Sequence, residues 1–405
     1  MRPLPPLIIA FVLAAFVTLL GGCLGLIRFA PDFDVSAASG NAPLTVHFTS
    51  YVPVGTTTWY WSFGDGATSS ERNPTHVYGN PGSYSVALTV IWSGSDGEEH
   101  GAERTKAGCV VVQAPPTPTA HKIYVTNAGG NSVSVINTVT DTVIATIAVG
   151  GSPAGIAISG SKAYVANYLD ATVSVISTLT DTVTATVPVG NYPGSIAITG
   201  NKAYVTNNGY YAYSDRTVSV INTVTDTVTA TIPVGDHPWG IASTGSKVYV
   251  GINYEDSVSV INTATDTVTA TIPVGDYPLG IAISGSKAYV ANYLDSSVSV
   301  INTATDTVTA TIAMADRPEC VTASGSRVYV ANTDASSVSV IDTGTDTVID
   351  TVAVGAGPCG IAINGSTAYV ANCYDNTVSV INTMTDTVIA TIAVGNYPVG
   401  VAISP

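Results

Sequence analysis

Charged side chains are scarce in this chain of 405 residues. Asp, Glu, Lys and Arg together make up 10% of the sequence, only 13 residues are Lys or Arg, and the formal net charge is −15. Nucleic-acid binding needs clustered basic residues, and the few present here are scattered, so we expect no nucleic-acid partner. Little charge with abundant Thr, Ser, Asn and Gly is more typical of an exported, adhesive surface than of a cytosolic enzyme.

Cysteine is also rare. The five cysteines are Cys23, Cys109, Cys320, Cys359 and Cys373. They are too few for a disulfide framework, and their spacing matches no set of metal ligands. We therefore predict neither a metal site nor a cofactor.

One pair of cysteines lies on consecutive predicted strands. If the turn at 364–367 pairs Ile363 with Ala368, Cys359 faces Asn372 and Cys373 points to the other face of the sheet. A disulfide between them would need a bulge in this register. We therefore do not expect Cys359 and Cys373 to be bonded.

The chain contains a unit of about 40 residues that occurs seven times. Successive Tyr-Val pairs are 40, 40, 45, 40, 40 and 40 residues apart, so one repeat carries an insertion. The Tyr-Val pairs begin at Tyr124, Tyr164, Tyr204, Tyr249, Tyr289, Tyr329 and Tyr369, and Asp-Thr-Val triplets begin at Asp141, Asp181, Asp226, Asp266, Asp306, Asp346 and Asp386. A period of this length allows paired helices or a four-stranded propeller blade.

The residues of the unit favour strands. Val133 and Val135 alternate with Ser132 and Ser134, which is the period of two expected of a strand. Val, Ile and Thr dominate, and β-branched residues suit a pleated sheet. Each unit has four such runs separated by turn residues, which predicts one blade per unit and a seven-bladed β-propeller over 121–405.

The limits of the repeat array predict a closed ring. The array starts on a second strand at 121–124 and stops on a first strand at 399–404. We expect the last segment to supply the innermost strand of the blade formed by residues 122–149. Closure of this kind removes exposed sheet edges.

The repeat resembles a known family. Tyr-Val-Thr-Asn at 124–127, Ser-Val-Ser-Val-Ile-Asn-Thr at 132–138 and Ile-Ala-Val-Gly at 147–150 are similar to the YVTN-type propeller repeats of archaeal and bacterial surface proteins. Gly251-Ile252 replaces the usual Ala/Thr-Asn pair, and Ser177 and Asp342 replace an asparagine. These departures affect single turns.

Residues 1–29 begin the chain with an apolar segment. Residues 7–27 carry no charge and lie between Arg2 and Arg28. This length fits both a signal peptide and a retained membrane-spanning helix. The Leu-Gly-Gly-Cys sequence at 20–23 resembles a lipobox, which implies lipidation of Cys23 after cleavage, so both kinds of anchor stay open.

Residues 30–113 change in character. Trp-Ser-Phe-Gly-Asp-Gly at 61–66, Asn-Pro at 73–74 and an alternating strand at 82–90 resemble the PKD domain, an immunoglobulin-like β-sandwich that implies a spacer or adhesion role. Asp65 and His76 invite a catalytic interpretation, but no third residue completes a triad. We expect Asp65 to bind turn amides and His76 to pack between strands. A Pro-rich, extended linker follows at 114–120.

Differences between the repeats separate scaffold from candidate site. The Asp-Thr-Val and Ser-Gly-Ser-Lys turns barely vary and should share one face of the disc, whereas the loops of the opposite face vary. Loops after the Tyr-Val strands there carry Tyr168, Tyr254, Tyr293, Tyr374 and an enlarged segment at 208–215. Loops leading into the innermost strands carry the predicted ligand-binding residues, namely Tyr192, His237, Trp239, Tyr277, Arg317, Glu319 and Tyr397.

The variable loops also have a purely structural interpretation. Proline sets the turn, Asp or Asn caps it, and tyrosine packs on the next blade. For the invariant residues we prefer this interpretation: each Asp-Thr-Val aspartate is expected to accept backbone amides at its turn. One aspartate per blade does not supply the oxygens of a Ca²⁺ site.

The resemblance to YVTN and PKD proteins, especially those of methanogens, implies an extracellular, surface-anchored protein that is not an enzyme. We expect it to display a monomeric propeller for adhesion or for binding envelope proteins or glycans, with the membrane contacted by the N-terminal segment. A rim rich in Tyr, Trp, Asp and Asn is suited to sugars and to protein hot spots. The alternative is a lactonase-like or dehydrogenase-like propeller enzyme acting at the channel mouth.

Overall fold

The computed structural model describes residues 30–94, 97–114, 121–209, 215–314 and 316–404. These form two compact units, one before and one after the segment 115–120. The predicted N-terminal anchor, Cys23 and most of the predicted linker lie outside the described residues. Within the described ranges, we find no helix with the length and apolar character needed to span a bilayer.

The first unit consists of two sheets. A three-stranded sheet has the order β1-β3-β6, and a five-stranded sheet has the order β2-β8-β7-β4-β5. All pairings are antiparallel except that of β2 with β8. The strands are β1 (Asp32–Val35), β2 (Ser39–Asn41), β3 (Leu44–Tyr51), β4 (Thr56–Ser62), β5 (Thr68–Ser69), β6 (Thr75–Tyr78), β7 (Gly82–Ser93) and β8 (Glu99–Gln113).

Alternation along these strands builds one core between the two sheets. Val46 and Phe48 of β3 and Trp61 of β4 are buried in the same cluster as Leu88 of β7. The ring centroids of Phe48 and Trp61 lie 5.4 Å apart. Burial of each such side chain contributes about 1.5–3 kcal/mol, so the aromatic residues explain how this short segment forms a stable unit.

The structure pairs Asp65 with His76. Asp65 Oδ1 accepts the amide of Ala67 at 3.0 Å, as expected for a turn residue, and Oδ2 lies 2.7 Å from His76 Nε2. Burial acts to raise the pKa of Asp65, but the bonds from His76 and Ala67 outweigh it and hold the pKa below its usual value. The His76 ring stacks on Phe63 with centroids 4.3 Å apart. Both residues therefore hold the turn against the core.

The second unit consists of seven four-stranded antiparallel sheets within the described residues. Each sheet is named here by its order in the chain. The first contains β9 (Lys122–Asn127), β10 (Ser132–Asn137), β11 (Thr142–Ala148) and the C-terminal strand β36 (Pro398–Ile403); the second β12 (Pro153–Ser159), β13 (Lys162–Asn167), β14 (Thr172–Ser177) and β15 (Thr182–Pro188); the third β16 (Pro193–Thr199), β17 (Lys202–Asn207), β18 (Thr217–Asn222) and β19 (Thr227–Pro233).

The other four sheets repeat this pattern, and short 3₁₀ turns lie at Ala128–Gly130 and Asn253–Glu255. The fourth contains β20 (Pro238–Ser243), β21 (Lys247–Ile252), β22 (Ser257–Asn262) and β23 (Thr267–Pro273); the fifth β24 (Pro278–Ser284), β25 (Lys287–Asn292), β26 (Ser297–Asn302) and β27 (Thr307–Ala313); the sixth β28 (Pro318–Ser324), β29 (Arg327–Asn332), β30 (Ser337–Asp342) and β31 (Thr347–Ala353); the seventh β32 (Pro358–Asn364), β33 (Thr367–Asn372), β34 (Thr377–Asn382) and β35 (Thr387–Ala393).

The sheets form a closed cycle. The innermost strand of each sheet contacts the innermost strand of the next, and β36 contacts β12 and β32 on its two sides. As expected from the repeat pattern, β36 pairs antiparallel with β9, with Val401 opposite Val125 and Ile403 opposite Ile123. The C-terminal segment therefore supplies the innermost strand of the first sheet.

An apolar layer fills each seam between neighbouring sheets. In the seam between the first and second sheets, Val133 and Ile147 pack with Val165 and Ile176. Equivalent clusters occur in the other seams, including the one between the seventh and first sheets. Successive residues of an inner strand therefore face the sheets on its two sides: Ile123 and Val125 pack in the seam with the seventh sheet, and Tyr124 in the seam with the second.

A polar contact joins neighbouring sheets at one end of most seams. Tyr164 of the second sheet donates its hydroxyl proton to Asp226 Oδ1 of the third at 2.8 Å, and Lys162 Nζ lies 2.7 Å from Asp226 Oδ2. Asp226 belongs to an Asp-Thr-Val triplet. We call this arrangement the inter-sheet ion pair; its cation–carboxylate members are Lys122–Asp181, Lys162–Asp226, Lys202–Asp266, Lys247–Asp306, Lys287–Asp346 and Arg327–Asp386.

This contact corrects the predicted role of the aspartates. We expected their carboxylates to accept amides of their own turn, but Asn137 does so in the first sheet, where its Oδ1 accepts the amides of Val139 and Thr140. Asparagine takes this role because it stands at the start of the turn. The aspartate lies at the left-handed turn position, where φ of Asp226 is 53°, and its carboxylate reaches the preceding sheet.

The seam between the seventh and first sheets lacks the ion pair. Thr367 occupies the position of the lysine, and Asp141 Oδ1 is buried without a hydrogen-bond partner among the described residues. Burial raises the pKa of Asp141. The apolar layer is present in this seam, so only the polar contact is missing.

The prediction about Cys359 and Cys373 is wrong, because these residues form a disulfide. The register of β32 with β33 shifts between Pro358 and Gly360, so Cys359 has no partner residue opposite it in the ladder. The Cα atoms of the two cysteines lie 6.3 Å apart. A bulge therefore provides the geometry that a regular ladder would have excluded.

Candidate functional site

The variable loops of the second unit lie together at one end of the sheets. The loop between the second and third strands of a sheet bonds to the loop that enters its innermost strand: the amide of Leu169 donates to Gly151 O at 3.1 Å, and that of Leu294 to Asp276 O at 3.2 Å. The invariant turns are joined in the same way at the other end, where Thr178 N donates to Ser161 O. The predicted separation of the two faces is thus present.

Several acids of these loops have structural roles. Asp170 Oδ2 accepts the amide of Gly151 at 2.7 Å, and Asp295 Oδ2 accepts that of Asp276 at 2.9 Å. Mutual repulsion with Asp295 and Asp256 raises the pKa of Asp276. Aspartate is thus selected here partly as a cap for the neighbouring loop.

The variable end is strongly acidic. Its loops contain ten carboxylates and only two guanidiniums within the described residues, the latter from Arg216 and Arg317. The acids are Asp170, Asp215, Asp236, Glu255, Asp256, Asp276, Asp295, Asp316, Asp334 and Asp375. Such an excess of one sign produces a field that attracts cations.

The residue before each of the seven prolines has a left-handed backbone conformation, and five of these seven residues are bulky. The residues and their φ values are Ser152 (50°), Tyr192 (54°), His237 (59°), Tyr277 (59°), Arg317 (23°), Gly357 (64°) and Tyr397 (55°). Glycine suits this conformation best, yet it occurs in one sheet only. Bulky residues at positive φ cost about 1–3 kcal/mol each and cluster at functional sites.

The residues after the prolines form a ring around the central channel. This ring consists of Ala154, Gly194, Trp239, Leu279, Glu319, Cys359 and Val399. Glu319 is its one carboxylate. Trp239 and Glu319 line both the channel and two adjoining cavities at its mouth.

The larger mouth cavity, of about 1060 Å³ including its open side, brings together five of the seven predicted binding residues. His237, Trp239, Tyr277, Glu319 and Tyr397 all line it. Their meeting follows from the cycle of sheets, because each loop enters the channel at the same level.

The other two predicted residues contact the wall from outside. The Tyr192 ring lies 5.1 Å from that of Tyr168, which lines the cavity. The Arg317 guanidinium lies over the Tyr293 ring, 5.4 Å from its centroid, and 2.7 Å from Asp334 Oδ2.

Four tyrosines of the same wall were predicted as part of the variable rim but not among the ligand-binding residues, and one threonine of the wall was not predicted. Tyr168, Tyr254, Tyr293 and Tyr374 come from the loops after the Tyr-Val strands, and Thr333 comes from the same loop of the sixth sheet. The signal was present, because these loops vary between repeats in the same way. What the repeat pattern could not give is that the two kinds of loop interleave.

The aromatic rings form an interrupted arc around the mouth. Centroids of His237 and Tyr254 lie 3.9 Å apart, those of Tyr254 and Tyr277 5.9 Å, and those of Tyr277 and Tyr293 6.2 Å. Tyr168 and Trp239 lie 6.1 Å apart. The wall therefore offers stacking surfaces to an apolar, cationic or sugar-like group.

Glu319 is the one acid of the ring and is half-buried. Burial raises its pKa, and Asp334 adds to this effect, while the bond from Thr333 opposes it. The Thr333 hydroxyl lies 2.7 Å from Glu319 Oε2 and 3.1 Å from Pro358 O. Deeper in the channel, burial raises the pKa of the neighbouring Cys320 thiol to about 11.

No group of three or more His, Cys, Asp or Glu in the described ranges is placed to hold a metal ion. The ionisable groups that the cavity offers are thus Glu319, His237 and the tyrosine hydroxyls. This arrangement can bind by stacking and by one carboxylate, or transfer a proton at Glu319.

Comparison with known proteins identifies the first unit. Residues 30–106 match the sequence profile of the PKD domain. The N-terminal unit is a PKD domain, in agreement with the prediction from the motif around Trp61.

Curated relatives resemble a small part of this chain. Collagenase ColA of Bacillus cereus is 48% identical over 64 residues, which is 16% of this chain and 6% of that protein. A microbial collagenase of Vibrio alginolyticus is 43% identical over 54 residues, or 13% of this chain and 6% of that protein. The chain thus matches only a small fraction of the length of these collagenases.

Solved structures resemble most of the chain in fold alone. A protein of unknown function from Desulfotomaculum acetoxidans has a TM-score of 0.63 at 18% identity, covering 70% of this chain and 99% of its own. A Bacteroides fragilis protein provisionally assigned as a 6-phosphogluconolactonase has a TM-score of 0.61 at 18% identity, and the match covers 72% of this chain and 100% of that protein. The dihydro-heme d1 dehydrogenase NirN has a TM-score of 0.54 at 15% identity, and the match covers 69% of this chain and 66% of the NirN chain. The second unit is thus propeller-like.

Proposed function

We propose that this chain is an exported, surface-anchored binding protein without enzymatic activity. In this proposal the seven sheets are the blades of a seven-bladed β-propeller of the YVTN type, as in archaeal surface proteins. The cavity at the channel mouth binds an envelope protein or glycan, and the PKD domain serves as a spacer or adhesion module. The membrane is contacted through residues 1–29.

One observation carries the binding role. Repeats that are otherwise nearly identical differ at the loops of one end, and these differences place Trp239, Tyr277 and Tyr397 in one cavity. Bulky residues there stand at positive φ although glycine is accommodated at the same position in the seventh sheet. A scaffold role alone gives no reason to keep such side chains.

Export is supported by a separate observation. The disulfide between Cys359 and Cys373 suits an oxidising compartment. Mass spectrometry of the native N-terminus distinguishes the anchors: lipid on Cys23 is expected for a lipoprotein and an intact Met1 for a retained helix. A plain cleaved end would contradict anchoring.

The binding role is tested by alanine substitution of Trp239 and Tyr277. Each change removes an aromatic surface from the cavity, so we expect binding to isolated envelope proteins or glycans to fall about tenfold or more. Biolayer interferometry with immobilised envelope fractions measures this. Leu179→Ala is the control, because Leu179 is an exposed apolar residue of the invariant turns at the other end of the sheets. Unchanged binding by the Trp239 and Tyr277 variants would contradict the proposal.

A catalytic role at the channel mouth is the second candidate. It is favoured by the fold likeness to NirN and to the provisionally assigned lactonase and by the raised pKa of Glu319, which suits a general acid. Lactone hydrolysis by the full chain, lost on Glu319→Gln, would support this candidate. Absence of turnover on lactones would leave the binding role in place.

A further inference from the structure

We propose that the cavity at the channel mouth binds an organic quaternary ammonium group, with Glu319 as counter-ion and the surrounding aromatic rings as walls. The inference rests on the proposed function, since it names the chemistry recognised in the same cavity. It depends on four features: the carboxylate of Glu319, the absence of a protein cation paired with it, the aromatic wall of the cavity and the electrostatic field of the acidic loops.

Glu319 introduces a charge where the other sheets have none. At the equivalent position they carry Ala154, Gly194, Trp239, Leu279, Cys359 and Val399, and Cys359 is in a disulfide. A carboxylate in an apolar ring loses hydration without gaining packing. Its hydrogen bond from Thr333 is neutral and leaves the charge without a counter-ion, so a role toward a cationic ligand explains its presence.

Within the described residues, no cation of the protein neutralises Glu319. The side chain that bonds to it is Thr333, a neutral donor. Arg317 stands two residues away in sequence, but its guanidinium is paired with Asp334 and packs on Tyr293. A half-buried carboxylate without a cationic partner favours the arrival of a cation.

The wall suits a cation that needs no hydrogen bonds. Trp239, Tyr277 and Tyr397 line the cavity together with Glu319. Aromatic faces attract ammonium groups through their quadrupole, and quaternary ammonium is the group that aromatic cages recognise. A hard metal ion would need several oxygen ligands, whereas Glu319 offers one carboxylate.

The loops around the mouth direct cations toward this point. Their ten carboxylates outnumber the two guanidiniums, and a low-dielectric cleft lined by one sign of charge raises the local concentration of counter-ions. Part of this attraction is screened by salt. Binding of choline, a small quaternary ammonium compound, should therefore weaken at higher ionic strength.

Protonation of Glu319 should compete with the ligand. The pKa of free Glu319 is raised by burial, and a bound cation would lower it, so affinity should rise as pH increases through this pKa. Asp334, which also acts on Glu319, is paired with Arg317, and His237 of the same cavity lies 2.9 Å from Asp236 Oδ1. The pKa values of Tyr293, Tyr397 and Cys320 are all raised, which keeps these groups neutral in the relevant range.

The test is calorimetric titration of the full chain with choline and with its neutral isostere 3,3-dimethylbutan-1-ol at matched ionic strength. We expect choline to bind at least about tenfold more tightly. Glu319→Gln should weaken choline binding about tenfold or more, remove its pH dependence and leave the isostere unaffected. Asp316→Asn is the matched control, because it removes one charge of the same loop and should change choline affinity less than about twofold.

Each outcome decides the inference. Equal binding of choline and isostere, or choline binding by Glu319→Gln at the level of the native chain, would overturn it. If choline does not bind but envelope proteins or glycans bind in a Trp239-dependent manner, the inference fails and the proposed function stands. If neither binds, both fail. Should Glu319→Gln not fold, Glu319→Asp with the pH profile of choline binding gives the same decision.

Discussion

Six of the seven seams in the second unit differ from the seventh in one polar contact. In the six, a lysine or arginine of one sheet is paired with an aspartate of the next, as in Lys162–Asp226. In the seventh, Thr367 stands at the position of the lysine, and Asp141 Oδ1 has no partner among the described residues. The apolar layer is common to all seams, so the difference indicates that this layer and the pairing of β36 with β9 are sufficient to close the cycle.

The largest expected effect comes from breaking closure itself. Deletion of residues 396–405 removes β36, exposes the edge of β9 and leaves the first sheet without its innermost strand. We expect the unfolding free energy of the second unit to fall by more than about 5 kcal/mol, or cooperative unfolding to be lost. Thermal unfolding followed by circular dichroism measures this, with removal of Pro405 alone as control. An unchanged transition would mean that β36 does not close the cycle.

The next effect distinguishes an ordinary seam from the closing one. Asp226→Asn removes the charge that Lys162 and Tyr164 bind and should lower stability by about 1–3 kcal/mol. Asn tolerates the left-handed turn conformation of Asp226, so the backbone is preserved. Asp141→Asn is the matched variant in the seventh seam and should cause no loss. Equal losses in urea unfolding would show that the two seams do not differ energetically.

Restoring the missing contact should give a smaller gain. Thr367→Lys places an ammonium group where the other seams have one, next to Asp141. We expect an increase in unfolding free energy of about 1 kcal/mol, measured by urea unfolding at neutral pH. In the double variant Thr367→Lys with Asp141→Asn this increase should disappear. If the gain persists without Asp141, it arises from an effect of lysine on the unfolded chain and not from the ion pair.

The smallest effect is a dependence on pH. Since burial raises the pKa of Asp141 in the folded protein, its ionisation opposes folding: stability is highest below the pKa of the unfolded chain and falls as pH rises through the folded pKa. Asp141→Asn should therefore be more stable than the native chain at pH 7 by less than about 1 kcal/mol, with no difference below about pH 4. A difference that is constant with pH would contradict this account.

Much of the fold could be predicted because each repeat constrains the others. Alternation at Val133 and Val135, the period of the Tyr-Val pairs and the offset between the array's two ends together determined the strands and the role of β36. The disulfide could not be predicted, because the position of a bulge depends on contacts around the channel. The ion pair was missed because Lys162 and Asp226 are 64 residues apart and each also suits a turn.

The candidate site could be predicted only in part. Variation between repeats selected loops, and five of the selected residues share one cavity. The sequence placed Tyr254 and Tyr293 in the variable rim but not among the ligand-binding residues, and it did not show that Thr333 would bond to Glu319. Those relations depend on how loops of adjacent sheets interleave, which a pattern within one repeat does not contain.

The pairing of β36 with β9 also has a consequence for assembly. Gly400 bonds to Thr126, which stands 274 residues earlier in the chain. Contacts between such distant segments carry a large loop-closure cost and form late in folding. We therefore expect the first sheet to have only the three strands β9, β10 and β11 until the other six sheets and β36 have formed. During that interval the edge of β9 is exposed and can pair with strands of other chains.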